Sequence, residues 1–206
     1  MERLLESVAA QCRDQMAQCG IHSTDRVMVA VSGGADSVAL AASVAHARQT
    51  GIVMAYVDHG LQSRYSRRHE RWVVESVARK LGMPLWRQTV PAGTIGRIAR
   101  SEGVGIEAAA RGVRYRLLLS ATADLNVDAL LTAHHRDDVV ETRLFRLLSG
   151  QIITAGDPIR PCQTRCVKGR NVSLVRPVLA VGREELVGVC RQEGLPFHSD
   201  PSNRDT

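Results

Sequence analysis

The chain has 206 residues, enough to bury a substantial core in one ordinary domain with or without a short appendage. Apolar residues make up 44% and charged residues 23%, which excludes disordered and fibrous classes, and no apolar run is long enough to span a bilayer. The formal charge is +6, carried almost wholly by Arg because Lys occurs only at Lys80 and Lys168. That balance favours anionic partners or, equally, a solvated Arg-rich surface. Aromatics are only 3%, which argues against a single-strand binder built on a stacking platform. The N-terminus lacks the apolar stretch of a secretory signal, so a cytoplasmic protein with reduced thiols at Cys12, Cys19, Cys162, Cys166 and Cys190 is expected.

In chain order, Leu4, Leu5, Val8, Ala9 and Cys12 recur at helical spacing and predict a helix that Gly20 stops. Val27–Val31 is a continuous apolar run, the pattern of a buried strand. A helix over 37–49, a strand at Ile52–Val57, a helix over Arg67–Leu81 and a weaker strand at Leu85–Val90 follow. Pro91–Gly105 reads as loop and short helix. Beyond it come a helix from Ile106 to about Ala123, a strand at Val127–Ala133 and a helix at Asp138–Ser149. From Gly150 to Lys168 periodicity fades into a flexible connection. A smaller unit around Ser173–Val175 and a helix at Arg183–Glu193 precede a turn-rich end, Asp200-Pro201-Ser202-Asn203. Strands alternating with helices predict an α/β fold with a parallel sheet. Ligands in such folds sit at the carboxyl ends of the strands.

Four segments there carry chemistry. Ser32-Gly33-Gly34-Ala35-Asp36-Ser37 lies between the first strand and its helix. Two glycines let the backbone turn and approach a ligand, the helix start favours phosphate, and Ser32 and Ser37 add hydroxyls. The anionic Asp36 makes sense there if Mg²⁺ lies between it and phosphates. The alternative is an ordinary strand-to-helix turn. Asp58-His59-Gly60 follows the second strand, with a polar turn as the alternative. Glu107, Arg111 and Arg114 share one helix face, as a phosphate-holding guanidinium pair or as a surface salt bridge. Ala133-His134-His135-Arg136-Asp137-Asp138, with Glu141 and Thr142, opens a helix. Asp138 and Glu141 fit a capping box, which leaves His134, His135 and Asp137 unexplained.

The first segment matches in full the Ser-Gly-Gly-x-Asp-Ser loop of the PP-loop ATP pyrophosphatases. The four segments in this order, with Arg176-Pro177-Val178-Leu179 and Asp200-Pro201-Ser202-Asn203, resemble the tRNA(Ile)-lysidine synthetases over nearly all of their catalytic domain. The resemblance implies a Rossmann-like adenine nucleotide α-hydrolase fold: an ATP-binding catalytic domain over 1–150, a flexible connection over 151–170, and a short C-terminal extension over 171–206. It implies ligation of L-lysine to C2 of the wobble cytidine of a CAU anticodon, through an adenylated tRNA(Ile), with loss of pyrophosphate and then AMP. It further implies that Ser32–Ser37, Asp58 and His59 hold ATP, with Mg²⁺ on Asp36. Asp36, Arg111, His135 and Asp137 would serve catalysis. Glu107, Arg111, Arg114, Asp137 and Glu141 would bind lysine or tRNA. No membrane partner is implied, and a homodimer is compatible. Two departures stand out. Where such enzymes carry Arg-Gly-x-Gly-x-x-Gly-Leu, this chain reads Ser149–Gly156 with two of the glycines and no Arg before Gly150. They also continue past Asp-Pro-Ser-Asn, which suggests a fragment, a minimal form or a weakened member. The competing readings are a tRNA thiolase using Cys162, Cys166 and Cys190, and a nucleotide-binding module without turnover.

Overall fold

The computed structural model describes residues 3–48, 50–149 and 159–198. Helix α1 (Leu4–Gln18) leads into strand β1 (Val27–Ala30), and helix α2 (Ala35–Ala47) carries the chain back to β2 (Ile52–Asp58). Next come α3 (Arg64–Lys80), β3 (Leu85–Thr89), α4 (Thr94–Glu102), α5 (Ile106–Asp124) and β4 (Ala129–Leu131). The chain then continues through α6 (Arg136–Leu148), β5 (Cys162–Val167), β6 (Arg170–Val175) and α7 (Arg183–Gln192).

The six strands form one sheet in the order β3-β2-β1-β4-β6-β5. All neighbours are parallel except β5 with β6. The order runs outward from β1 to β3 on one side and restarts with β4 on the other. The switch point therefore lies between β1 and β4, where a doubly wound sheet opens a crevice for ligand. Alternation along β1 divides the core. Val27 and Val29 face α1, α2, α3 and α7, together with Met54, Tyr56 and Leu131. Met28 faces the opposite side with Val53, Ala55 and Leu130, against α4 and α5. These strands are buried on both faces, which is why they read as unbroken apolar runs.

Two expectations need correction. Cys162–Val167, assigned from the sequence to a flexible connection, is an antiparallel edge strand, so the sheet is mostly rather than wholly parallel. Lys168 and Gly169 close the hairpin, both at positive φ (49° and 78°), the conformation that a two-residue hairpin turn requires. Helix α6 begins at Arg136, not Asp138. Its N-cap is His135, whose backbone N–H donates to Asp138 Oδ2 at 2.9 Å, so Asp138 caps with His135 and not with Glu141. The Gly150–Gly156 segment and Asp200–Asn203 lie outside the described residues. No helix among the described residues is long and apolar enough to cross a membrane.

Candidate active site

A cleft of about 790 Å³ opens over the carboxyl ends of β1, β2 and β4. Its floor is the Ser32–Ser37 loop. Gly33 turns at φ +89°, and Gly34 caps α2 without a side-chain acceptor for the first-turn N–H groups. Those donors and the positive end of the helix dipole are therefore presented to whatever enters. The two serines brace the loop internally. Ser37 Oγ donates to the Gly34 carbonyl at 2.9 Å and accepts from Ser32 N–H at 3.1 Å. The Ser37 hydroxyl proton is thus used in shaping the loop rather than left for a ligand.

Asp36 lines the cleft, and its Oδ1 is buried with no hydrogen-bond partner. An orphaned carboxylate oxygen beside an anion cradle fits Mg²⁺, which takes one or two protein carboxylates and completes its shell with phosphate and water. No three His, Cys, Asp or Glu side chains among the described residues are grouped as a protein-only metal site.

At the end of β2, Asp58 accepts from Gly60 N–H at 2.9 Å and from the Arg67 fork at 2.6–3.2 Å. Burial pushes the Asp58 carboxyl up, but Arg67 and Gly60 outweigh it, so its pKa falls below the usual carboxylate range. His59 lines the same wall, and its buried Nδ1 has no partner. Burial, then Arg114, lower its pKa, so it is neutral near pH 7.

The facing wall is basic. Arg111 and Arg114 both reach the cleft from α5. Arg111 turns to His134, with Nη2 to Nε2 at 3.0 Å, and its guanidinium lies over the Tyr115 ring at 5.4 Å. Among the described residues it forms no ion pair with Glu107, which lies outside the cleft lining. Burial, and then Arg176, Arg111 and Arg114, push the His134 pKa down to about 3. An Arg can only donate, so His134 Nε2 accepts. Its proton then sits on Nδ1 and is given to Thr132 Oγ1 at 3.1 Å.

His135 is buried behind the cleft wall among three carboxylates. Its Nε2 is 3.7 Å from Asp36 and 3.8 Å from Asp138, and its Nδ1 is 3.4 Å from Asp137. Burial would lower its pKa, but Asp36, Asp138 and Asp137 raise it. Of the carboxylates named as candidates for lysine, Asp137 lies outside the cleft lining and accepts from Arg183 N–H at 2.8 Å, while Glu141 is exposed on α6.

Sequence reasoning missed Tyr56, Arg67, Glu70, Arg183 and His198, all of which line the cleft. Tyr56 donates its hydroxyl to Glu70 at 3.3 Å. His198 donates its backbone N–H to Gly33 O at 2.7 Å and forms a parallel bridge with Gly34, so the end of the described chain leans on the loop. The one signal available was the spacing of Asp58 and Arg67 across a strand end and the helix after it. The cysteines are dispersed: Cys190 is buried against Ala35 O at 3.3 Å, Cys162 neighbours Cys19, and Cys166 is exposed.

A model of the PP-loop domain family matches residues 4–206. The tRNA(Ile)-lysidine synthase of Thermus thermophilus is 38% identical over 181 residues, which covers 88% of this chain and 32% of that protein. The tRNA(Ile)-lysidine synthase of Bradyrhizobium diazoefficiens is 34% identical over 195 residues, with 90% and 49% covered. The chain thus spans about a third to a half of the length of these relatives. Among solved structures, the U34-tRNA thiolase of Methanococcus maripaludis with its iron–sulfur cluster superposes with a TM-score of 0.77 at 14% identity, covering 96% of this chain and 67% of that one, a likeness of fold. Loop, sheet order and family match agree, and the chain belongs to the PP-loop domain family.

Proposed function

We propose that this chain is the catalytic domain of a ligase that joins L-lysine to C2 of the wobble cytidine in the CAU anticodon of an isoleucine tRNA. The observation that carries this reading is the convergence of the Ser32–Ser37 loop, the Asp58 turn and the Arg111–Arg114–His134 wall on one cleft. The naming of the relatives agrees with it. The cytidine O2 attacks the α-phosphorus of ATP and pyrophosphate leaves. The lysine ε-amine then attacks C2 and forms the C2–N bond with loss of a proton, while the C2–O2 bond breaks and AMP leaves carrying O2. The α2 N–H groups hold the triphosphate, and Asp36 would hold Mg²⁺, which would supply positive charge to offset that of the phosphates. Arg111 and Arg114 steady phosphate charge on the nucleotide or the RNA. Asp137 is the nearer candidate to receive the lysine ammonium, since Glu141 stands further out on α6. Glu107, exposed at the start of α5, belongs to the tRNA side of the proposal. A cytoplasmic location follows from these substrates. A homodimer is supported by the exposed apolar face of α6, where Leu144, Phe145 and Leu148 lie open, and sedimentation of the purified chain would read it.

The test is ATP-dependent incorporation of labelled lysine into unmodified isoleucine tRNA, with a methionine tRNA as control. Incorporation confined to the isoleucine tRNA supports the proposal. ATP binding without incorporation, in the presence of both substrates, counts against it.

A further inference from the structure

Helix α3 presents three different faces. Val73, Val74 and Val77 are fully buried, and Arg67 and Glu70 line the cleft. Tyr65, Arg68, His69 and Trp72 share the outer face at helical spacing. Tyr65 is 84% exposed and Trp72 57% exposed, in a chain with only two Trp, three Tyr and two Phe. Large aromatic rings are usually well buried, so two on one open face mark a surface for contact.

The rings form a series that starts at the cleft. His198 lines the cleft and meets the His69 ring edge-on at 5.5 Å. His69 in turn stacks on Trp72 at 5.8 Å, with the planes 22° apart. The surrounding charge is basic. Glu75 holds both Arg71 (2.9 Å) and Arg87 (2.6 Å), and exposed Arg68 makes no ion pair among the described residues. Flat rings with an uncommitted guanidinium, at the lip of a cleft that takes a base, match the chemistry of an unstacked nucleotide: a π-face to stack and a phosphate to pair.

We infer that the His69–Trp72 ledge of α3, with Arg68 beside it, stacks an unpaired nucleotide flanking the base held in the cleft. The inference rests on the proposed RNA substrate. A low aromatic content excludes a broad platform but not a ledge for one base.

The test uses the full chain and an unmodified CAU anticodon stem–loop, with the same stem closed into a duplex as the control. In a Trp86→Phe background Trp72 is the sole indole, and its emission should be quenched by the stem–loop but not by the duplex. Trp72→Ala should weaken stem–loop binding by about 5- to 150-fold, the range of one base–aromatic stack. Trp72→Phe should restore most of the loss, and ATP affinity should not move in either variant. Equal stem–loop affinity for wild type and Trp72→Ala, with unquenched emission, overturns the ledge and leaves the lysine-transfer proposal standing. Equal weakening of stem–loop and duplex by Trp72→Ala also overturns it, because the contact would then be to backbone alone. No RNA binding by the wild-type chain overturns the ledge and the substrate together, and labelled lysine would then fail to incorporate as well.

Discussion

Replacing Gly33 by Ala separates a nucleotide cradle from an ordinary turn. Gly33 sits at φ +89°. A Cβ there would stand 3.5 Å from the Glu70 carbonyl oxygen and 3.7 Å from a methyl of Val73 and of Val74. Those are ordinary contact distances, so the cost is conformational rather than steric. An L-residue held at positive φ costs about 1–2 kcal/mol. In a chain of this size that lowers Tm by about 2–8 °C. Gly20 provides the control, at φ +74° with nothing within 4 Å and no place in the cleft. Gly20→Ala should therefore cost a similar amount of stability. Only Gly33→Ala should also lose ATP affinity, by about tenfold or more, equivalent to about 1.4 kcal/mol, because relief of the strain rotates the loop under the α2 N–H groups. Thermal melts paired with equilibrium ATP binding make the comparison. Matched melting losses with unchanged ATP affinity in Gly33→Ala would refute the cradle.

Three further outcomes follow from the charges around the cleft. His134 resists protonation in the folded chain, where burial and the nearby guanidinium groups push its pKa down to about 3, from an ordinary imidazole value of about 6.5. The unfolded chain therefore binds more protons between those values, and stability falls as pH drops below about 6.5, by up to about 1.4 kcal/mol per unit. His134→Gln can still accept from Arg111 and donate to Thr132, and denaturant titrations from pH 7 to 4 should show a shallower decline than in wild type. The Asp58 carboxyl is held below the usual carboxylate range, so its stabilising contribution is complete above that range and is lost as pH falls through the folded value. Asp58→Asn should lower Tm at pH 7, and the gap to wild type should close below about pH 4. Arg111→Lys should fail to rescue Arg111→Ala in lysine transfer, both losing about 100-fold, because an ammonium cannot reproduce the fork that reaches His134 and is proposed to steady a phosphate. Both variants should melt close to wild type, since Arg111 is exposed.

What the sequence disclosed and what it hid divide along one physical line. The strands β1, β2 and β4 are buried on both faces, so their residues are nearly all apolar and their ends are sharp in the sequence. The loops after them could be placed because parallel strands bring their carboxyl ends to one edge. Strand β5 escaped notice because Cys162–Val167 is an edge strand whose middle is exposed, so no burial alternation is written into it. Its only trace was Lys168-Gly169, a turn pair easily read as loop. Arg67, Glu70 and His198 escaped for another reason. Nothing local distinguishes an Arg or Glu that faces a cleft from one on a solvated helix face, and only the packing of α3 on Gly33 turns them inward. The same logic explains the pairings that the motifs could not show. Asp36 and His135 are about a hundred positions apart, yet β1 and β4 pair in register from Val27 with Ala129. Each strand ends a few residues before its own loop, so the two side chains arrive within 3.7 Å. A carboxylate and an imidazole become neighbours through strand register rather than through any sequence spacing, and Asp137 and Asp138 join them because α6 starts directly after His135. The cluster is thus a consequence of the switch point itself: moving β4 one strand outward would keep every motif and dissolve the site.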